Sequence, residues 1–89
     1  MEHFDIQVYG RVQGVSFRYY AQKTARAYHI KGYVKNMPDG SVYIEAEGDT
    51  ENLKKFIEWC HHGPGWAHVE NVHTEKGALR NFNDFNIRH

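Results

Sequence analysis

Between Phe4 and Phe17 the chain changes its hydrophobic period. Phe4, Ile6 and Val8 alternate with Asp5, Gln7 and Tyr9, the two-residue repeat of a strand with one buried face. From Phe17 onward, Phe17, Tyr20, Ala21, Thr24, Ala25 and Tyr28 recur at helical spacing, with Arg18, Gln22, Lys23 and Arg26 between them on the wet side. The switch falls inside Gly10-Arg11-Val12-Gln13-Gly14-Val15-Ser16. A strand therefore feeds a helix through a short turn with a glycine at each end of Arg11-Val12-Gln13.

Such a turn can cradle an anion. Its glycines permit positive φ and let several amide N–H groups approach one point without Cβ atoms in the way. The helix starting near Phe17 aims its own unpaired N–H groups and the positive end of its dipole at the same point. Arg18, in the first helical turn, is placed to fold its guanidinium fork over a phosphate or carboxylate held there. The spacing is not that of a nucleotide P-loop, G-x-x-x-x-G-K-[ST]. By itself it also describes an ordinary tight βα loop with a surface arginine, so its meaning depends on the remaining chain.

Past the first helix, Gly32 suits a helix exit shortly after His29, and Lys31 to Asn36 reads as a second strand. Met37-Pro38-Asp39-Gly40 follows, and its Asp-Gly pair is a strong hairpin signal. Val42, Ile44 and Ala46 alternate with Tyr43, Glu45 and Glu47 on the returning strand. Gly48-Asp49-Thr50 ends that strand and supplies a helix N-cap. Leu53, Phe56, Ile57 and Cys60 then fall at i, i+3, i+4 and i+7, and Gly63-Pro64-Gly65 stops the helix. Val69 to Thr74 reads as a fourth strand, Lys76 to Asn81 as an exposed loop, and Phe85 to Arg88 as a short final strand.

The order β-α-β-β-α-β with a terminal strand is that of an α+β, ferredoxin-like sandwich with both helices on one face of an antiparallel sheet. With 89 residues the expectation is a single domain, residues 1–89, burying about 60–65% of the surface of its unfolded chain. The first strand is then central, and its C-terminal turn lies among neighbouring strands. Eleven basic and eleven acidic residues balance, which argues against a general nucleic-acid or anionic-membrane surface and makes any anion attraction local. No apolar run approaches a membrane span and no signal peptide is evident. A cytoplasmic protein is expected, in keeping with the lone Cys60.

Two separated motifs carry a resemblance. Gly-Arg-Val-Gln-Gly-Val-Ser-Phe-Arg (residues 10–18), then Gly32-Tyr33-Val34-Lys35-Asn36 and Asp39-Gly40-Ser41-Val42, are similar to the acylphosphatase family. Glu47-Gly48, Gly63-Pro64 and Val69-Glu70-Asn71-Val72 extend the likeness over nearly the whole chain. Tyr33 stands where the family more often has tryptophan and His68 where it often has arginine. Neither departure touches the positions that match the active site.

The resemblance implies hydrolysis of acyl phosphates to carboxylate and inorganic phosphate, without a metal or other cofactor, by a protein expected to be a monomer. It implies that Arg18 binds the phosphoryl oxygens with backbone N–H groups of Gln13, Gly14, Val15, Ser16, Phe17 and Arg18, and that Asn36 positions the attacking water. These roles suit phosphoryl transfer, which needs mainly positioning and charge stabilisation. Arg11 reads as structural or a surface charge. A non-catalytic module holding a phosphate-bearing ligand in the same cradle is the alternative. An RNA-binding domain is disfavoured, since Gly40 to Gly48 lacks the K/R-G-F/Y-G/A-F-V-x-F/Y pattern. His61 and His62 are adjacent and point about 100° apart on a helix, so they do not make a metal site. Cys60 lies on the buried stripe and reads as core.

Overall fold

Strand β1 (Glu2–Arg11), helix α1 (Phe17–Ala27), strands β2 (Lys31–Asn36) and β3 (Val42–Gly48), helix α2 (Thr50–His62), and strands β4 (His68–Gly77) and β5 (Phe85–Arg88) follow one another in a computed structural model that describes residues 1–89. The sheet order is β4-β1-β3-β2-β5. β1 pairs antiparallel with both β3 and β4, and β2 pairs antiparallel with β3. The first strand is thus interior, as its pattern implies, and its end opens into the middle of one rim. β5 runs parallel to β2, so the terminal strand makes an otherwise antiparallel sheet mixed.

One face of the sheet carries Ile6, Val8, Val34, Val42, Ile44 and Ala46. These pack against Phe17, Ala21 and Ala25 of α1 and Leu53, Phe56 and Cys60 of α2. The α1 stripe is narrower than its spacing suggests, because Tyr20 is exposed and Thr24 and Tyr28 are only partly covered. Phe17 opens α1 directly against Trp59 of α2, ring centroids 5.2 Å apart. Phe56 is fully buried and meets Phe85 of β5 edge-on at 5.8 Å. Truncating such a phenylalanine costs about 3–5 kcal/mol. Neither helix is long and apolar enough to cross a membrane.

The exit from α1 is made differently from the sequence expectation. His29, not glycine, takes the left-handed conformation after the helix, with φ 58°. Gly32 is a residue of β2, opposite Ala46, at φ 147°, and a Cβ there would lie 1.7 Å from the Glu45 carbonyl oxygen. Close approach of two strands, rather than chain reversal, calls for this glycine.

The helix-free face is the second departure. Cross-strand pairs His3–Glu47 and Asp5–Glu45 place these side chains together on that face. His3, Glu45 and Glu47 are nonetheless buried there. β4 continues to Gly77, and the exposed loop that follows lies over the cluster: the Arg80 and Phe82 amides both donate to the Glu47 carboxylate, and the Arg80 guanidinium reaches Glu45 at 3.2 Å. Buried carboxylates need such donors. The segment then enters β5, which is tied to α1 by Gln22 Nε2 donating to the Phe85 carbonyl (3.1 Å) and to β2 by the Gly32 amide donating to the Asp84 carbonyl (2.9 Å).

Candidate active site

The β1–α1 turn departs from regular structure where a cradle would require it. Gly14 has φ 74° and Ser16, the residue before α1, has φ 64°. A left-handed serine is uncommon and mildly strained, and such strain gathers at functional sites. None of the backbone N–H groups from Gln13 to Tyr19 finds a backbone acceptor, and the first bond of α1 is Tyr20 N–H to Ser16 O at 3.2 Å. Ser16 has no side-chain capping bond and the first turn carries no acidic residue. The positive end of α1 is left open to an anion.

Val12, Gly14, Ser16, Phe17, Arg18 and Tyr19 line a cleft of about 230 Å³ together with Asn36, Ile87 and His89. The fold brings these residues together from the turn after β1, from α1, from the end of β2, and from β5 and the residue that follows it. Arg18 Nη1 donates across the mouth to the Arg88 carbonyl (3.4 Å) and to His89 Nδ1 (3.2 Å). Asn36 Oδ1 is buried in the cleft wall without a hydrogen-bond partner. A buried amide oxygen left unpaired is costly.

Two residues of the turn act differently from the rest. The Gln13 side chain turns away and donates from Nε2 to the Met37 and Ser41 carbonyls, each at 2.8 Å, pinning the cradle to the hairpin that follows Asn36. Val15 is partly buried and packs against the core. Their backbone N–H groups stay available while their side chains stand outside the cleft. Nothing in the sequence singles out Ile87 and His89, because a four-residue strand gives no periodic signal of where it pairs. The Ile-Arg-His run could be placed only through the parallel register of β5 with β2. Cys60 is fully buried, and burial pushes its thiol far above the ordinary range, which suits a core residue and not a nucleophile.

Fold and cleft together define a small α+β protein with an open helix N-terminus and an arginine at one cleft. A family model described as acylphosphatase matches residues 4–87. An acylphosphatase of Nocardioides sp. is 46% identical over 84 residues, covering 94% of this chain and 85% of that one. One from Thermotoga maritima is 44% identical over 89 residues, covering 100% and 99%. The crystal structure of acylphosphatase from Bacillus subtilis covers both chains completely with a TM-score of 0.97 at 37% identity. The chain belongs to the acylphosphatase family. Its activity is hydrolysis of the carboxyl–phosphate bond of acyl phosphates, small molecules that yield a carboxylate and inorganic phosphate.

Proposed function

We propose that Arg18 and the backbone N–H groups of residues 13–18 hold the phosphoryl group and that Asn36 positions the attacking water. The observation that carries this reading is the pairing, in one cleft, of an arginine beside a run of unpaired amides with the unpartnered oxygen of Asn36. On this reading the amides and the guanidinium, once turned to the substrate, bond the oxygens where charge is held as the phosphoryl group passes between its partners.

The side-chain amide of Asn36, which lines the cleft, holds the water with a lone pair directed at phosphorus. As its oxygen bonds to phosphorus, the bond from phosphorus to the acyl oxygen breaks, and the electron pair leaves with the carboxylate. The water's proton ends on a phosphoryl oxygen of the departing phosphate. A carboxylate is a good leaving group, so no general acid is needed, and an amide that orients water without ionising suffices. Charge is supplied by Arg18 and the amides, so the reaction is read as independent of metal and cofactor.

On this reading residues 1–89 work as one domain, as a monomer in the cytoplasm, with no nucleic acid or membrane partner. The balanced charge and the buried, solitary Cys60 fit it. Hydrolysis of a simple acyl phosphate, measured with and without a chelator, is the test. Turnover should be the same in both, and loss restored by a divalent ion would overturn the metal-independent mechanism.

A further inference from the structure

Arg88 makes two contacts in different directions. Its backbone carbonyl accepts from Arg18 Nη1 at 3.4 Å, and its guanidinium lies 3.7 Å from the centre of the Tyr33 ring. β5 is an edge strand, so carbonyls on its open side have no further strand to bond. Register sets Lys35 of β2 beside Arg88, and Tyr33, two residues earlier, shares a face of β2 with Lys35. The Tyr33 ring is a fixed platform: it is buried, its hydroxyl donates to Glu45 Oε2 at 2.6 Å, and Phe82 meets it edge-on at 5.8 Å.

We propose that the stack of Arg88 on Tyr33 positions Arg18: it fixes the last residue of β5, whose carbonyl in turn holds the Arg18 guanidinium at the cleft. The proposal rests on the reading of Arg18 as a phosphate ligand. Nη1 carries two N–H groups, and it contacts the Arg88 carbonyl and His89 Nδ1. The Nε and Nη2 donors remain, side by side, in the fork that suits a phosphoryl group. Without the tether, Arg18 is a long side chain with many rotamers at a cleft mouth. Fixing one of those rotamers on binding costs affinity, and the tether removes part of that cost in advance.

Packing alone is a poor reason for this arrangement. Lys35 Nζ stands 6.0 Å from the same Tyr33 ring and 5.8 Å from that of Tyr43, so two cations sit side by side on neighbouring strands. Adjacent like charges lower the stability of a sheet. The tyrosine ring offsets this by attracting the guanidinium to its face, and the result is a β5 end held where its carbonyl meets Arg18. A contact on the helix-free face thereby acts on a cleft beside α1.

Competitive inhibition by inorganic phosphate is the probe. Arg88→Ala should weaken it by about three- to five-fold, the scale of one exposed cation–π contact, with little change in melting temperature, as for other exposed side chains. Arg88→Lys keeps the charge without the planar stack and should recover part of the loss. Tyr33→Phe keeps the ring but takes a donor from the buried Glu45 carboxylate, so it should lower the melting temperature and leave phosphate inhibition as in the wild type. In an Arg18→Ala background, Arg88→Ala should weaken inhibition no further, because no guanidinium is left to hold. Wild-type inhibition in Arg88→Ala, or an equal loss with and without Arg18, overturns the role of the stack and leaves the cradle standing. Wild-type inhibition in Arg18→Ala would overturn the phosphate-ligand reading and the stack's role together.

Discussion

Gln13 and Ser41 are joined by a 2.8 Å hydrogen bond from the Gln13 side-chain amide to the Ser41 carbonyl, and the same Nε2 donates to Met37 O at 2.8 Å. The two carbonyls flank the turn at the end of β2, whose closing bond runs from Met37 N–H to Ser41 O. One side chain thus locks the β1–α1 turn, the proposed phosphate loop, to the hairpin that follows Asn36. The spacing between the two halves of the candidate site is set by a side chain that lines neither.

Gln13→Ala should lower stability by about 1–2 kcal/mol, the cost of two carbonyls losing a shared, part-buried donor. It should also lower kcat, because Asn36 would no longer be held in register with the cradle. Gln13→Glu sets an acceptor against two acceptors and should be worse than alanine in urea midpoint and kcat alike. Equal behaviour of the two variants would mean that the bridge does not position the site.

Arg18→Ala should weaken competitive inhibition by phosphate about 10- to 100-fold, the equivalent of roughly 1.5–3 kcal/mol for a charge-assisted hydrogen bond, and should lower turnover. Arg18→Lys should recover part of the loss, since it restores charge but not the planar fork. In the wild type, phosphate at a hundredfold excess over its dissociation constant should add about 2.7 kcal/mol of stability. Identical phosphate inhibition in wild type and Arg18→Ala would place the anion elsewhere.

The cradle, the two helices, the hairpin and the interior place of β1 were legible because each rests on local signals: an alternation, a helical stripe, an Asp-Gly turn, glycines bounding a loop. What was not legible depends on pairing between distant segments. Gly32 reads as a helix exit until the 1.7 Å approach of Glu45 O to its missing Cβ places it inside the sheet. Glu45 and Glu47 alternate with the core residues of β3, and nothing local in the sequence shows that the 78–84 segment covers them. Ile87 and His89 enter the cleft only because β5 lies parallel to β2. Arg18 and Asn36 could be named from sequence because they sit in the two motifs. The contacts that aim Arg18 could not.

The buried face opposite the helices should set the pH range of stability. His3 Nδ1 lies 2.7 Å from Glu47 and Nε2 lies 2.7 Å from Asp5, so both nitrogens donate only when the ring is charged. Burial pulls His3 down, but its bonds to Asp5 and Glu47 outweigh that and hold it above its ordinary 6.5. Burial likewise raises Glu45 and Glu47, but Tyr33 and Tyr43 on the first, and the Arg80 amide and His3 on the second, hold both below the ordinary 4.5.

A raised histidine contributes stability that is complete below 6.5 and lost as pH rises through its folded value. A depressed carboxylate contributes stability present above 4.5 and lost as pH falls through its folded value. The melting temperature should therefore be highest between 4.5 and 6.5 and decline on both sides. His3→Gln should flatten the alkaline decline while leaving the acid limb. An alkaline limb of unchanged steepness in that variant would remove His3 as its cause.

Asn36 and Arg18 share one cleft but are assigned to different moments of the reaction. Arg18 holds phosphate before and during the transfer, whereas the water on Asn36 matters only as the bond to phosphorus forms. Asn36→Ala should leave competitive phosphate inhibition within about a few-fold of wild type while lowering kcat by roughly 100-fold or more, the loss expected when one positioned catalytic group is removed. Asn36→Asp tests the same point from the other side, because a carboxylate beside the phosphoryl group should repel it and damage phosphate inhibition as well as kcat. Asn36 directly precedes the Met37–Ser41 turn, so unchanged circular dichroism and melting temperature are needed to exclude a disturbed hairpin. A folded Asn36→Ala protein with near-normal kcat would leave the buried, unpaired Oδ1 without a catalytic purpose, and the attacking water would have to be placed on another group.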